Sequence, residues 1–212
     1  MTKDEIFAMI AAERRSTADL LETFTDEQWG TQSLCGLWTV REVAAHLTAP
    51  WEVGTLGFVP AILVSAGNFD KANDRVTKQL AKKPVKETIA SLRKNTKNRF
   101  TPPGFGPEAP LTDIVVHTQD MCRPLGIDRE VAPDRTRVIL DLLTKKRANR
   151  FRGGHSLNGL RFVADDQDWS WGEGAEVRGP SVPLALFMHG RLDGAKDLTG
   201  DGLEEFRTRL AG

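Results

Sequence analysis

Apolar side chains recur at helical spacing through most of residues 1–150, and the rhythm stops where Gly153, Gly154 and Gly159 gather. That change constrains the fold more than any other feature of the chain. Apolar residues every three or four positions bury one stripe of a helix, whereas short apolar runs between glycines favour strands and tight turns. Residues Thr2 to Phe24 carry Ile6, Met9, Ile10, Leu20, Leu21 and Phe24 among charged neighbours, which predicts a first helix. A second begins at Trp38 or Thr39, because Glu42 lies three residues beyond Thr39 as a capping box requires, and Val40, Val43, Ala44 and Leu47 come after it. Asn68 to Lys83 and Val85 to Asn98 predict two more, parted by Pro84 at a place that suits a first turn. The prolines and glycines between Thr101 and Pro107 end that pattern, Leu111 to Met121 resumes it, and Arg135 to Ala148 gives a last long helix with Lys145, Lys146 and Arg147 at its carboxyl end. Beyond it, Leu160 to Ala164 reads as a strand, Trp169, Trp171, Val177 and Val182 mark further short strands, and Pro183 to His189 and Leu203 to Leu210 read as short helices. The expected class is mainly α with a small α+β part: a helical bundle over residues 1–150 and a smaller α+β domain over 151–212.

The 29 basic and 29 acidic residues cancel, so the chain lacks the broad positive field that nucleic-acid or anionic-membrane binding draws on. Neither partner is expected. The longest apolar stretch, Leu56 to Ala66, contains Gly57 and Pro60 and falls short of the ~20 residues that span a bilayer. Met1 to Ile10 mixes Lys3, Asp4 and Glu5 with apolar residues instead of the basic-then-apolar layout of a secretory signal, so a cytoplasmic location is the default. Cys35 and Cys122 are too few for a disulfide framework, and both read as buried inert thiols. Monomer and homodimer both stay open.

Chemistry is sought among four histidines. Asp113 and His117 are four apart on a predicted helix, which puts both on one face about 5 to 6 Å apart at their β-carbons. His46 lies on the second helix beside Val43 and Leu47, at the edge of the face that turns inward. Helical bundles build metal sites from such inward side chains on facing helices, and two imidazoles with one carboxylate suit zinc or another first-row divalent ion with positions left open. The same spacing equally describes a satisfied core histidine at His46 and an ordinary ion pair between Asp113 and His117. His155 and His189 have no partnered spacing and read as structural or exposed; Trp38 and Trp51 read as core, and Arg147, Arg150 and Arg152 as a solvated basic face.

The segment Leu37-Trp38-Thr39-Val40-Arg41-Glu42-Val43-Ala44-Ala45-His46-Leu47 resembles the signature of the mycothiol-dependent maleylpyruvate isomerase family. The stretch from Asp113 through His117, Asp120 and Arg123 to Gly126 resembles that family's second metal-ligand segment. Gly159 to Asp165, Trp169-Ser170, Arg178-Gly179-Pro180 and Leu198 to Gly202 resemble its small carboxyl-terminal domain. The resemblance implies a DinB-like four-helix bundle followed by a sterol-carrier-like α+β domain. It implies His46 and His117 as metal ligands, with Asp113 where the family usually has glutamate, one methylene shorter. It also implies Asp120 and Arg123 as groups that orient a ligand or meet substrate.

In function, the resemblance implies a cytoplasmic, actinobacterial-type enzyme that takes a divalent metal, with zinc favoured, and uses mycothiol as thiol cosubstrate toward a small electrophile. Isomerisation and S-transfer share a thiolate as nucleophile, and sequence does not separate them. No side chain of the chain itself is assigned as nucleophile or general base. The alternative is a non-catalytic protein that binds a metal or a small ligand.

Overall fold

The computed structural model describes residues 1–36 and 38–211, and the side chains of all of these but residues 55, 56, 58 and 211. Leu37, the first residue of the 37–47 signature, and the side chain of Leu56 in the apolar stretch therefore lie outside the described part. The chain forms two compact units, Met1–Arg129 and Glu130–Gly212.

In the first unit, α1 (Lys3–Leu21) starts from a complete capping box between Thr2 and Glu5. It packs on α7 (Val85–Lys94) and α8 (Glu108–Cys122), with Ile10, Ala18 and Leu21 buried. A short helix α2 (Asp26–Gly30) and a loop lead to α3 (Val40–His46), whose Thr39–Glu42 box forms as its spacing predicts: the Glu42 amide donates to Thr39 Oγ1 and Glu42 accepts from the Thr39 amide at 2.8 Å. Val40, Val43 and Ala44 are fully buried, and α3 packs on α6 (Phe69–Leu80), α7 and α8. Asn68 caps α6 by accepting from the Lys71 amide at 2.9 Å.

Between α3 and α6 the chain forms α4 (Ala49–Glu52) and α5 (Gly54–Val64), where Gly57 and Pro60 interrupt the apolar pattern and the spacing predicts no helix. Pro60 is tolerated inside α5 on an exposed face, beside Val59, while Leu63 and Val64 further along are exposed as well. Among the described residues, no helix is long and apolar enough to cross a membrane.

The second unit begins with α9 (Pro133–Leu143), ahead of the boundary expected near residue 150. The reason is packing. Ile139, Leu140, Leu142 and Leu143 are fully buried, and α9 lies against α10 (Ser181–Met188). Polar ties add to this: Trp169 Nε1 donates to Asp141 at 2.9 Å and Arg137 to the Asp168 carbonyl at 2.7 Å. The helix stops at Leu143 instead of running to Ala148, and residues Lys146–Arg152 form 3₁₀ turns. Arg152, expected on a solvated face, is buried: it donates to the carbonyls of Lys145 at 3.1 Å and His155 at 3.2 Å, and to that of Leu143, because turns leave carbonyls that a buried guanidinium can satisfy.

A three-stranded sheet of order β2-β1-β3 comes next, with β1 (Leu160–Ala164) antiparallel to β2 (Ser170–Gly172) and parallel to β3 (Ala175–Gly179). Gly174, at φ +124°, makes the turn between β2 and β3 where any Cβ would collide with the Gly159 carbonyl. Val182, expected in a strand, instead lies in α10, since Pro180 ends β3 and opens the helix. With α11 (Gly202–Ala211) the unit closes over Phe162, Phe187 and Phe206, stacked edge to face at 5.5 and 5.0 Å. The molecule is thus mainly α with a small α+β part, as expected.

Candidate metal centre

α3 starts from its capping box at Thr39 and ends seven residues on at His46. α8 is long, almost wholly buried, and carries Asp113, His117 and Asp120 on successive turns facing α3. The two histidine rings meet edge to face with centroids 4.9 Å apart. Asp113 Oδ1 stands 3.5 Å from His46 Nε2 and 3.5 Å from His117 Nε2. These separations are long for hydrogen bonds, yet they match the ~3.4 Å edge of a tetrahedron whose metal–ligand bonds are ~2.1 Å. The three donor atoms form one group within 4.8 Å of each other, and the donor set of two imidazoles and a carboxylate is one that zinc and its neighbours accept.

The far side of each ring is anchored. His117 Nδ1 lies 2.9 Å from Oδ2 of the fully buried Asp120, and His46 Nδ1 is 3.4 Å from Thr77 Oγ1 on α6. A carboxylate on Nδ1 keeps the proton there and turns the Nε2 lone pair toward a metal. Thr17 and Thr118 bond at 3.0 Å across α1 and α8, fixing the turn that carries His117. Trp38 does more than fill core: its indole stacks 4.9 Å from the His46 ring and donates to Asp74 at 2.9 Å, walling one side of the pair.

Cys35 is only partly buried and stands against His117, in contrast to the inert, buried thiol expected. The loop places it there. Its amide donates to Ser33 Oγ at 3.1 Å, Ser33 Oγ donates to the Trp38 carbonyl at 2.6 Å, and the Leu34 amide donates to the Asp120 carbonyl at 3.0 Å, pinning the loop to α8 at Leu34. Cys35, His117 and Asp120 form a second group of potential ligands that shares His117 with the first. Nothing in the local sequence announces this, because the contact depends on how a loop docks on a distant helix. Cys122 is buried as expected, and burial pushes its thiol up to about 11 against a smaller opposing pull from Arg129.

The electrostatics of His117 come from these neighbours. Burial, the largest single influence, lowers its pKa, but the hydrogen bonds to Asp120 and Cys35 and the charges of Cys35 and Asp113 together outweigh it and raise the value from 6.5 to about 10. Asp113 is the open edge of the group, its side chain 35% exposed against 15% for His46 and 10% for His117. Arg123 lies just past α8 in a 3₁₀ turn and belongs to neither group of potential ligands among the described residues. His155 and His189 lie in the second unit and likewise belong to neither.

Residues 10–62 match the family described as "Mycothiol maleylpyruvate isomerase N-terminal domain", a span that includes His46. Two solved structures share the fold. One is a mycothiol-dependent maleylpyruvate isomerase, 13% identical with a TM-score of 0.62, the similarity covering 95% of this chain and 93% of that one. The other is a mutant of such an isomerase with one histidine changed to alanine, 12% identical with a TM-score of 0.60 and the same coverage, 95% and 93%. No curated protein sequence matches.

Proposed function

From a chain that carries a mycothiol maleylpyruvate isomerase N-terminal domain and has the fold of that isomerase, we propose a divalent-metal-dependent enzyme that activates mycothiol for isomerisation of, or S-transfer to, a small electrophile. The observation that carries the reading is the convergence of His46 Nε2 and His117 Nε2 on Asp113 Oδ1 at 3.5 Å each. A divalent ion bound by these three residues, zinc in the favoured case, supplies Lewis acidity that makes a thiolate available at neutral pH.

The chain's own residues prepare the place. Asp120 and Thr77 orient the imidazoles, Trp38 excludes water from one flank, and the exposed edge of Asp113 leaves an approach for thiol and substrate. An open approach beside three protein ligands supports catalysis over a closed structural site. Asp113 in place of a glutamate keeps a hard oxygen donor with a shorter reach, which suits the close 3.5 Å spacing. Thiolate addition to a conjugated double bond gives an enolate: rotation about the former double bond and expulsion of the same thiolate give isomerisation, whereas protonation of the enolate by solvent, with the new C–S bond kept, gives S-transfer. Arg123, just past the end of α8, keeps the part in ligand or substrate positioning that the family resemblance implies.

The test is elemental analysis of the purified protein and of His46→Ala, Asp113→Ala and His117→Ala, followed by calorimetric titration of mycothiol. About one equivalent of metal in the parent, lost in the histidine variants together with mycothiol binding, is the expected result. Metal that persists in all three variants, or a parent that takes up none from zinc-containing buffer, would overturn the site.

A further inference from the structure

Arg14 on α1 is one of the most buried charged residues of the first unit, 4% exposed. Its Nη1 donates to the carbonyls of Asn95, Thr96 and Asn98 at 3.2, 3.3 and 2.7 Å, so the segment leaving α7 holds one corner of the guanidinium. Trp51 covers one face, its ring centroid 4.9 Å from Cζ. That indole is fixed in turn: Nε1 donates to Ser91 Oγ at 2.8 Å, Ser91 donates to Glu52, and Glu52 accepts from Lys83 at 2.6 Å.

A guanidinium withdrawn from water is normally paired with an acid, since its desolvation is otherwise uncompensated. Arg14 has no ion-pair partner among the described residues. One turn further along α1, Thr17 bonds to Thr118 of α8 at 3.0 Å, so Arg14 lies on the side of α1 that meets the helix carrying Asp113, and the charge of Asp113 acts on it without a salt bridge. Its Nε and Nη2 donate to nothing among the described residues. They are also absent from the fully occluded, unpartnered side-chain atoms, which are Arg41 Nε, Ser65 Oγ and Arg135 Nε. Both nitrogens therefore keep a small exposed edge in an otherwise buried side chain.

We propose that Arg14 is the anion-recognition residue of the His46–Asp113–His117 site, receiving the carboxylate of a small substrate on its Nε and Nη2 edge with Trp51 as a side wall. The proposal deepens the enzyme reading and rests on it. The Nε–Nη2 edge offers two parallel N–H groups at the spacing of a carboxylate's two oxygens, a match that a lysine cannot make. Three carbonyls and an indole face hold the plane before any ligand arrives, which reduces the ordering that binding requires.

The test titrates succinate, its neutral diamide and inorganic phosphate into the zinc-loaded and zinc-free protein by calorimetry, in the parent and in Arg14→Gln, Arg14→Lys and Trp51→Leu. Succinate is expected to bind at least tenfold more tightly than the diamide and more tightly than phosphate, with or without zinc. Arg14→Gln should weaken succinate at least tenfold while zinc content stays unchanged. Arg14 also ties α1 to three carbonyls, so thermal melting accompanies each variant. If Arg14→Gln does not fold, Arg14→Lys decides, because it keeps the charge and loses the two-pronged edge; a severalfold loss of succinate affinity is expected.

Equal binding of succinate and the diamide, phosphate binding as tight as succinate, or undiminished succinate binding in a folded Arg14 variant would overturn the proposal. A parent that binds succinate but neither zinc nor mycothiol would instead sink the enzyme reading, so the two failures are distinguishable.

Discussion

His117 has a separate task for each ring nitrogen: Nδ1 faces Asp120 and Nε2 faces Asp113. In metal-free protein its pKa is raised to about 10 by Asp120, Cys35 and Asp113 against the opposing effect of burial. A metal must displace the Nε2 proton, so zinc affinity should rise with pH between about 6 and 10, by at most about tenfold per unit for one released proton, which competition titrations at several pH values will register. The folded-state value lies above the ordinary 6.5. The stabilisation of metal-free protein is therefore complete below the unfolded value and declines as pH rises through about 10. Asp120→Asn keeps the shape but removes the carboxylate behind the ring, and should weaken zinc by about 10–100-fold in the same titration. A thiol reagent at neutral pH should modify the partly exposed Cys35 and spare Cys122 until the protein unfolds. At this scale the pairing of Asp113 with His117 is legible in the sequence, because four residues on a helix fix a shared face. The approach of Cys35 and the buried setting of Arg14 are not, because each depends on a loop docking on an element far away along the chain.

α3 is short, and its amino-terminal box decides its register. Thr39→Ala should destabilise the first unit by about 1 kcal/mol in urea unfolding and loosen zinc in parallel, since the residue lost at the start of the helix sets the position of His46 at its end. Box and helix are both readable in the sequence, as are α6, α7, α8 and β1 to within a few residues. α5 is not, because a proline inside a helix on an exposed face violates the periodicity rule without harming the helix. In the second unit, Phe206→Ala removes the ring shared by Phe162 and Phe187 and should lower stability by about 3–5 kcal/mol, measurable by thermal or urea unfolding.

The division of the whole chain between Arg129 and Glu130 places every proposed ligand, together with Asp120 and Thr77, in the first unit. A fragment of residues 1–129 should therefore fold and bind zinc with parent affinity, read by circular dichroism and elemental analysis. A fragment cut at residue 150 carries α9 with Ile139, Leu140, Leu142 and Leu143 stripped of their cover and should aggregate. The change of composition near the glycines marks where strands begin, which is a different event from where the second core begins. Amphipathic spacing announces that a helix has a buried face, but not which core receives it, and α9 shows the difference.

His46 ends a short helix, whereas Asp113 and His117 stand on a long buried one. An ion gripping all three is thus a rivet through two plates that the backbone joins only by a long detour through α4, α5, α6 and α7. Removing it leaves α8 in place and frees the tip of α3. Loss of the ion should appear first as faster amide hydrogen exchange around His46 and Leu47, well before any change in overall helicity.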